Sequence, residues 1–317
     1  MLQSELMGLS VGIVGLPNAG KSTLFNALAS RRLAQTAPRP FTTIEPHEAV
    51  VPIPDEDLDK LSAMIKPEVT APATITFIDI AGLVKGAHQG EGLGNQFLAK
   101  IREVDAIVHV VRAFKDPYVT HAHPTHEPGT QEQVMEDIEI VNLELEIAGI
   151  VGKHSIYVLN FSERELKEPT TQQYLVSVEN KFGDKAISVS AKLEEEATDL
   201  SKEERTALLK EMGIEESGLE KLIKASYKLL ELITFYTIKG GKEVHAWSIK
   251  NGSTALEAAA VVHTDFSKNF IKAEVMSVAE LLSEGTWKEA GEKGKIRLEG
   301  KDYKVQDKDV IEFKVGV

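Results

Sequence analysis

Gly15-Leu-Pro-Asn-Ala-Gly20-Lys21-Ser22 is a G-x-x-x-x-G-K-[ST] run set between a β-branched apolar stretch and a helical pattern. Nothing else in the chain restricts its fold so tightly. A loop of this spacing turns backbone N–H groups inward around phosphates, and it requires a strand before it and a helix after it. Residues 10–14 read as the strand and residues 21–29 as the helix, whose N-terminal partial charge favours an anion. Asn18, Ala19, Gly20, Lys21, Ser22 and Thr23 are therefore expected to hold a nucleotide triphosphate. Lys21 is expected to reach the β- and γ-phosphates as a catalytic cation, and the Ser22 hydroxyl to bind Mg²⁺.

The pattern downstream continues the same theme. Apolar runs at 48–53, 74–80, 106–111, 155–159 and 186–189 alternate with helical spacing at 58–65, 95–104 and 133–148. Near-continuous apolar strands separated by helices predict an α/β fold, a mainly parallel sheet flanked by helices on both faces. Residues 194–227 are charged and helical and are expected to close this first domain, assigned to 8–231. From residue 232 the pattern changes to short strands and turns, at 233–238, 244–249 and 271–275, with a helix near 254–263. A last hairpin is expected to pair 304–306 with 310–315. This predicts a small α+β domain over 232–317.

Further motifs fall on loops at strand ends. Asp79-Ile-Ala-Gly82 closes a predicted strand 64 residues after Gly15. There Asp79 is expected to order Mg²⁺ and the Gly82 N–H to bond the γ-phosphate. Thr43, in Pro40-Phe-Thr-Thr43-Ile-Glu-Pro46, occupies the stretch where a switch loop places a second Mg²⁺ ligand. Asn160-Phe161-Ser-Glu163 stands where guanine-specific proteins carry Asn-Lys-x-Asp. Glu163 is one methylene longer than Asp and Phe161 replaces the Lys, so bidentate reading of guanine is weakened, while Asn160 retains an amide for either purine. Ser190 and Ala191 follow a strand and fit the last base-contacting loop.

Composition excludes several classes. The chain has 317 residues, 42% hydrophobic and 27% charged, with no cysteine, so disulfides, thiolate metal sites and thiol catalysis are ruled out. No apolar run is long enough to span a bilayer and the N-terminus does not read as a signal peptide, so a cytoplasmic protein with no membrane partner is expected. Net charge is −13, divided unevenly: 23 basic against 36 acidic side chains before residue 232, then 13 against 13. A protein held to nucleic acid by phosphate neutralisation would be basic. The acidic run from Glu194 to Glu204 reads as a solvated helix face.

The motifs GLPNAGKST, FTTIEP, DIAGLVKGAHQGEGLGNQF, VVRAF and NFSE, with the C-terminal HAWSIKNGSTALEAAAVVHTDFSKNF, resemble the YchF family of Obg-like P-loop NTPases from about Leu9 to Val317. The resemblance implies a TRAFAC-class G domain, a C-terminal TGS domain of β-grasp type and nucleotide hydrolysis with ATP accepted as well as or better than GTP. It also implies association with ribosomes, with RNA contact through the TGS domain, and we expect a monomer. It points to a histidine after the VVRAF strand, by position His121, as a catalytic group acting on the attacking water. One feature departs from the family, and a second, a hydrophobic position the family shares, departs from Ras-like enzymes. Residues 149–153 stand where relatives insert a long helical coiled coil, and Leu83 stands where Ras-like enzymes keep a water-orienting Gln. Slow intrinsic turnover is expected. A guanine-specific GTPase, a non-hydrolysing docking module and a direct RNA binder remain as alternatives at this point.

Overall fold

The structure, a computed structural model, describes residues 9–31, 47–80, 93–121 and 125–316, with backbone only at 93–97 and 202. Thr43, Gly82 and Leu83 lie outside the described residues.

The first part of the chain supplies β1 (Ser10–Val14), β2 (Glu48–Pro52), β3 (Val69–Ala71), β4 (Thr74–Asp79), β5 (Ala106–Arg112), β6 (Ser155–Asn160) and β7 (Lys185–Val189). Its helices are α1 (Lys21–Ser30), α2 (Glu56–Ile65), α3 (Leu93–Glu103), α4 (Gln131–Ile147), α5 (Pro169–Phe182), α6 (Ala191–Glu196), α7 (Lys202–Glu211) and α8 (Gly218–Leu229). The last part supplies β8 (Leu232–Lys239), β9 (Glu243–Lys250), β10 (Phe270–Ser277), β11 (Arg297–Glu299) and β12 (Asp309–Val315). Its helices are α9 (Ala255–Val262), α10 (Thr264–Lys268), α11 (Val278–Glu284) and α12 (Trp287–Glu292).

One sheet runs β2-β4-β1-β5-β6-β7, parallel throughout except for β2 against β4. Its central strand β5 is buried at every residue, as an interior parallel strand covered on both faces must be. The carboxyl ends of β1, β4, β5 and β6 carry the phosphate loop, Asp79, Arg112 and Asn160. That is the edge where open α/β sheets bind ligands.

The second sheet runs β11-β10-β12-β8-β9-β3. Its last strand, β3, comes from the first part of the chain and lies parallel on β9, Thr70 opposite Val244. The expected hairpin of 304–306 with 310–315 does not form. β12 is already paired on both edges, with β10 and β8, and Lys304 instead bridges Thr254. Short strand β11 pairs with β10, and helices α11 and α12 lie between those two strands in the chain; none of the three was legible from periodicity.

One buried apolar cluster is continuous across both sheets. It joins Val11, Leu24 and Val51 to Leu58 and Leu61 of α2, and these to Val244, Ala246, Met276 and Leu281. Each such Val, Leu or Met side chain contributes about 1.5–3 kcal/mol on burial. Polar ties follow the same path. Asp55 caps α2 by accepting from Asp57 N and Leu58 N, and also accepts from the Tyr236 hydroxyl at 2.8 Å. Lys308 pairs with Asp57 at 2.7 Å.

Between α4 and β6 the chain is short. Gly149 takes φ 72°, its N–H donates to Glu146 O, and the Ile150 N–H returns to Leu145 O. This left-handed closure turns Ile150 into the core beside α4. The helical arm expected of relatives has no counterpart here. Among the described residues no helix is long and apolar enough to cross a membrane.

Candidate nucleotide site

The phosphate loop is a backbone device, and its conformation explains its residues. Gly15, Asn18 and Gly20 have φ of 151°, 63° and 98°. A Cβ on Gly15 would lie 2.2 Å from Val110 O, and one on Gly20 would lie 2.2 Å from Asn160 Nδ2. Only glycine meets both the conformation and the close approach. α1 starts at Lys21, so its free N–H groups open onto the loop.

Lys21 lies across this loop, its ammonium donating to Leu16 O at 2.8 Å. Burial pushes its pKa down from the ordinary lysine value, and the nearby Asp79 carboxylate opposes that shift. A cation desolvated in this way gains most from an incoming phosphate. Ser22 and Thr23 follow on the first turn of α1, with Ser22 exposed. Asp79 ends β4, and its N–H donates to His47 O. Among the described residues no cluster of three or more His, Asp or Glu is placed to hold a metal by itself. A hydroxyl and a carboxylate beside a triphosphate are nevertheless the hard oxygen donors that Mg²⁺ takes.

The base-side motifs are brought together, but differently from the expectation. Asn160 is buried and uses both ends of its amide: Nδ2 donates to Ala19 O at 2.9 Å and Oδ1 accepts from Ala191 N at 3.0 Å. It clamps the phosphate loop to the Ser190–Ala191 turn. Phe161, expected at the nucleotide, is 4% exposed and packs with Tyr174 and Leu166 in the core. An apolar ring beside a half-buried tyrosine goes inward, so its side chain cannot cover a base as a lysine stem would. Glu163 is exposed. The next carboxylate, Glu165, closes this turn instead, accepting from Ser162 N and, through its other oxygen, from Lys115 N. Ser190 is buried at the start of α6.

His121 was read as a loop residue. Its side chain is only 4% exposed, and Nε2 lies 3.0 Å from Asp137 Oδ2 on α4. An ionised carboxylate can only accept, so Nε2 carries the proton there. The same Asp137 oxygen accepts from Gln133 Nε2 at 2.6 Å. The preceding residue, Thr120, reaches the phosphate loop: its carbonyl accepts from Asn18 Nδ2 at 3.0 Å. Sequence reasoning missed that contact, and also Arg112, a strand-end arginine 1% exposed. It missed the role of Glu194 as well. Read as part of a solvated face, Glu194 is 5% exposed, accepts from Leu219 N and faces Arg31 at 3.7 Å.

Residues 10–161 match the family model described as a 50S ribosome-binding GTPase. Residues 232–316 match the YchF-GTPase_C family model, described as a protein of unknown function (DUF933). Among similar proteins, the ribosome-binding ATPase YchF of Bacillus subtilis (strain 168) is 40% identical over 374 residues, covering 98% of this chain and all of that one. Its counterpart in Haemophilus influenzae is 39% identical over 371 residues, with the same coverage. The solved structure of the Schizosaccharomyces pombe YchF GTPase superposes with a TM-score of 0.79 at 32% identity, covering 97% of this chain and 98% of that one. The first two alignments run over more positions than the 317 residues present here, so those relatives carry residues with no counterpart in this chain.

Proposed function

The chain belongs to the YchF family, is a P-loop nucleotide hydrolase with a G domain and a C-terminal TGS domain, and from that premise we propose that it hydrolyses ATP, and GTP beside it, as a Mg²⁺-dependent monomeric switch read by the ribosome. The observation that carries this reading is the amide-lined loop at Gly15–Lys21, with a desolvated Lys21 laid across it and Asp79 near. Positioning and charge neutralisation supply nearly all the catalysis of phosphoryl transfer. In this reading the loop amides and Lys21 hold the phosphates, while Ser22 and Asp79, with Thr43, supply oxygen donors to Mg²⁺. The ion, when bound, neutralises charge that develops on the phosphate oxygens. Gly82 is assigned the γ-phosphate contact.

Base selection is proposed to be loose. Asn160 spends its amide on the two loops, Phe161 is turned into the core, and Glu163 stands in solvent. That supports acceptance of adenine over strict reading of guanine. His121 is proposed to orient the attacking water, starting from the Asp137 carboxylate that fixes its tautomer. Ribosome association comes from the names of the relatives, and a cytoplasmic location goes with it.

Competition of labelled ATP with GTP tests the base assignment: dissociation constants within about tenfold support it, and a GTP preference beyond about tenfold contradicts it. Turnover of His121→Ala tests the histidine: a loss of about 10²-fold or more in kcat is expected, and unchanged kcat removes it from the mechanism. Sedimentation with ribosomes in ATP and in ADP tests the switch. Its salt dependence separates contacts to RNA phosphates, including any made by the TGS domain, from contacts to protein.

A further inference from the structure

A buried charge stands beside the nucleotide site without touching it. Arg112 ends β5 and is among the largest fully buried side chains. Burial pushes its pKa down, and the surrounding carboxylates of Asp116, Asp137 and Glu165 oppose that shift. No carboxylate among the described residues takes its fork directly. Nε donates to Phe114 O at 3.2 Å, Nη1 to Val119 O at 2.8 Å and Nη2 to Asp116 O at 3.0 Å. The Phe114 ring covers the guanidinium at 4.6 Å. Residues 113–121 are thus wound around the fork, which donates to three of their backbone carbonyls, Asp116 O accepting from Val119 N as well.

Both ends of that loop are tied to the site. Ala113 N donates to Asn160 O, and Thr120 O accepts from Asn18 of the phosphate loop. His121 reaches Asp137, and Gln133 bonds both that carboxylate and Arg112 O. We propose that Arg112 is a positioning residue for nucleotide hydrolysis, acting through the 113–121 loop to hold Asn18 by Thr120 and to hold His121 at α4. A planar fork is required. A lysine ammonium offers its donors from one point and cannot span three carbonyls placed around a guanidinium. The inference rests on the nucleotide site assigned above.

The test uses the full-length chain. Arg112→Lys is expected to remain folded at 25 °C with a lowered melting temperature, and to lose at least about tenfold in kcat/KM for Mg-ATP. A merely structural role predicts the lower melting temperature with kcat and KM unchanged. Asn18→Ala removes the other side of the Thr120 tie. If both act through one loop, the double variant loses no more than about threefold beyond the worse single, whereas independent roles multiply. Wild-type kcat/KM in folded Arg112→Lys, or multiplied losses in the double variant, would overturn the proposal. Should Arg112→Lys not fold, hydrogen exchange in Asn18→Ala decides. The Tyr118 and Val119 amides, both bonded to Asp116, are then expected to exchange at least about tenfold faster than in wild type, and unchanged exchange contradicts the coupling. If Lys21→Ala abolishes nucleotide binding while Arg112→Lys behaves as wild type, the inference fails and the nucleotide site stands. If Lys21→Ala leaves binding intact, the nucleotide site itself fails.

Discussion

At the scale of single residues, His109 shows how burial fixes a protonation state. It lies on β5, 2% exposed, against the Tyr157 ring, and among the described residues neither of its ring nitrogens has a hydrogen-bond partner. Burial, with the Lys21 charge adding to it, pushes its pKa from 6.5 down to about 3. Below pH 6.5 the unfolded chain takes up a proton that the folded chain refuses. Stability is therefore full above that pH and is lost as pH falls, by about 2 kcal/mol at pH 5 from this group alone. Urea unfolding of wild type and His109→Leu at pH 8 and pH 5 checks this. The variant is expected to lose about 2 kcal/mol less between the two pH values, and parallel losses would contradict it.

Legibility at this scale followed local spacing. Lys21 and Ser22 were readable because the loop fixes them within eight consecutive positions. The inward turn of Phe161 was not, since it depends on Tyr174 from α5. Arg112 was missed for a similar reason. Arginine is seldom fully buried, and the carbonyls that receive it belong to a loop without periodicity.

At the scale of elements, α2 stands out for a cap with two duties. Asp55 accepts from two N–H groups of its own helix and from the Tyr236 hydroxyl of β8, whose pKa is pushed up by burial and by the Asp55 charge. Removing a cap costs about 1 kcal/mol, and leaving a buried hydroxyl without a partner costs about 1–3 kcal/mol more. Asp55→Ala is thus expected to lose about 2–4 kcal/mol by urea unfolding. Tyr236→Phe, which removes the hydroxyl but leaves the cap, should lose about 1 kcal/mol. Equal losses in the two variants would show that the cap contributes nothing. The helix was legible as a periodic segment from Leu58. Its partner on β8 was not, because nothing local relates positions 55 and 236.

At the scale of the whole molecule, β3 joins the two sheets. Three residues, Val69–Ala71, add an edge strand to β9, and the segment carrying them runs between β2 and β4 of the nucleotide sheet. The break in pattern at residue 232 was legible. The crossing was not, since so short a strand has no period, and pairing between positions 70 and 244 is purely non-local. The continuous core predicts cooperative unfolding: calorimetry of the full chain should give one transition, and Mg-ATP should raise it as a unit. A fragment of residues 232–317 would expose Val244, Ala246 and Leu281, buried in the whole chain. It is expected to show no cooperative melt by near-ultraviolet circular dichroism, and a sharp transition would refute the dependence of this part on the apolar cluster it shares with residues before 232.

The phosphate loop is the premise on which the functional account depends, and steady phosphate release from Mg-ATP tests it most directly. Wild type should release phosphate continuously, and Lys21→Ala, with its fold verified by circular dichroism, should fall to background. Equal release by the two proteins, or none from folded wild type with Mg-ATP in excess, would contradict the account.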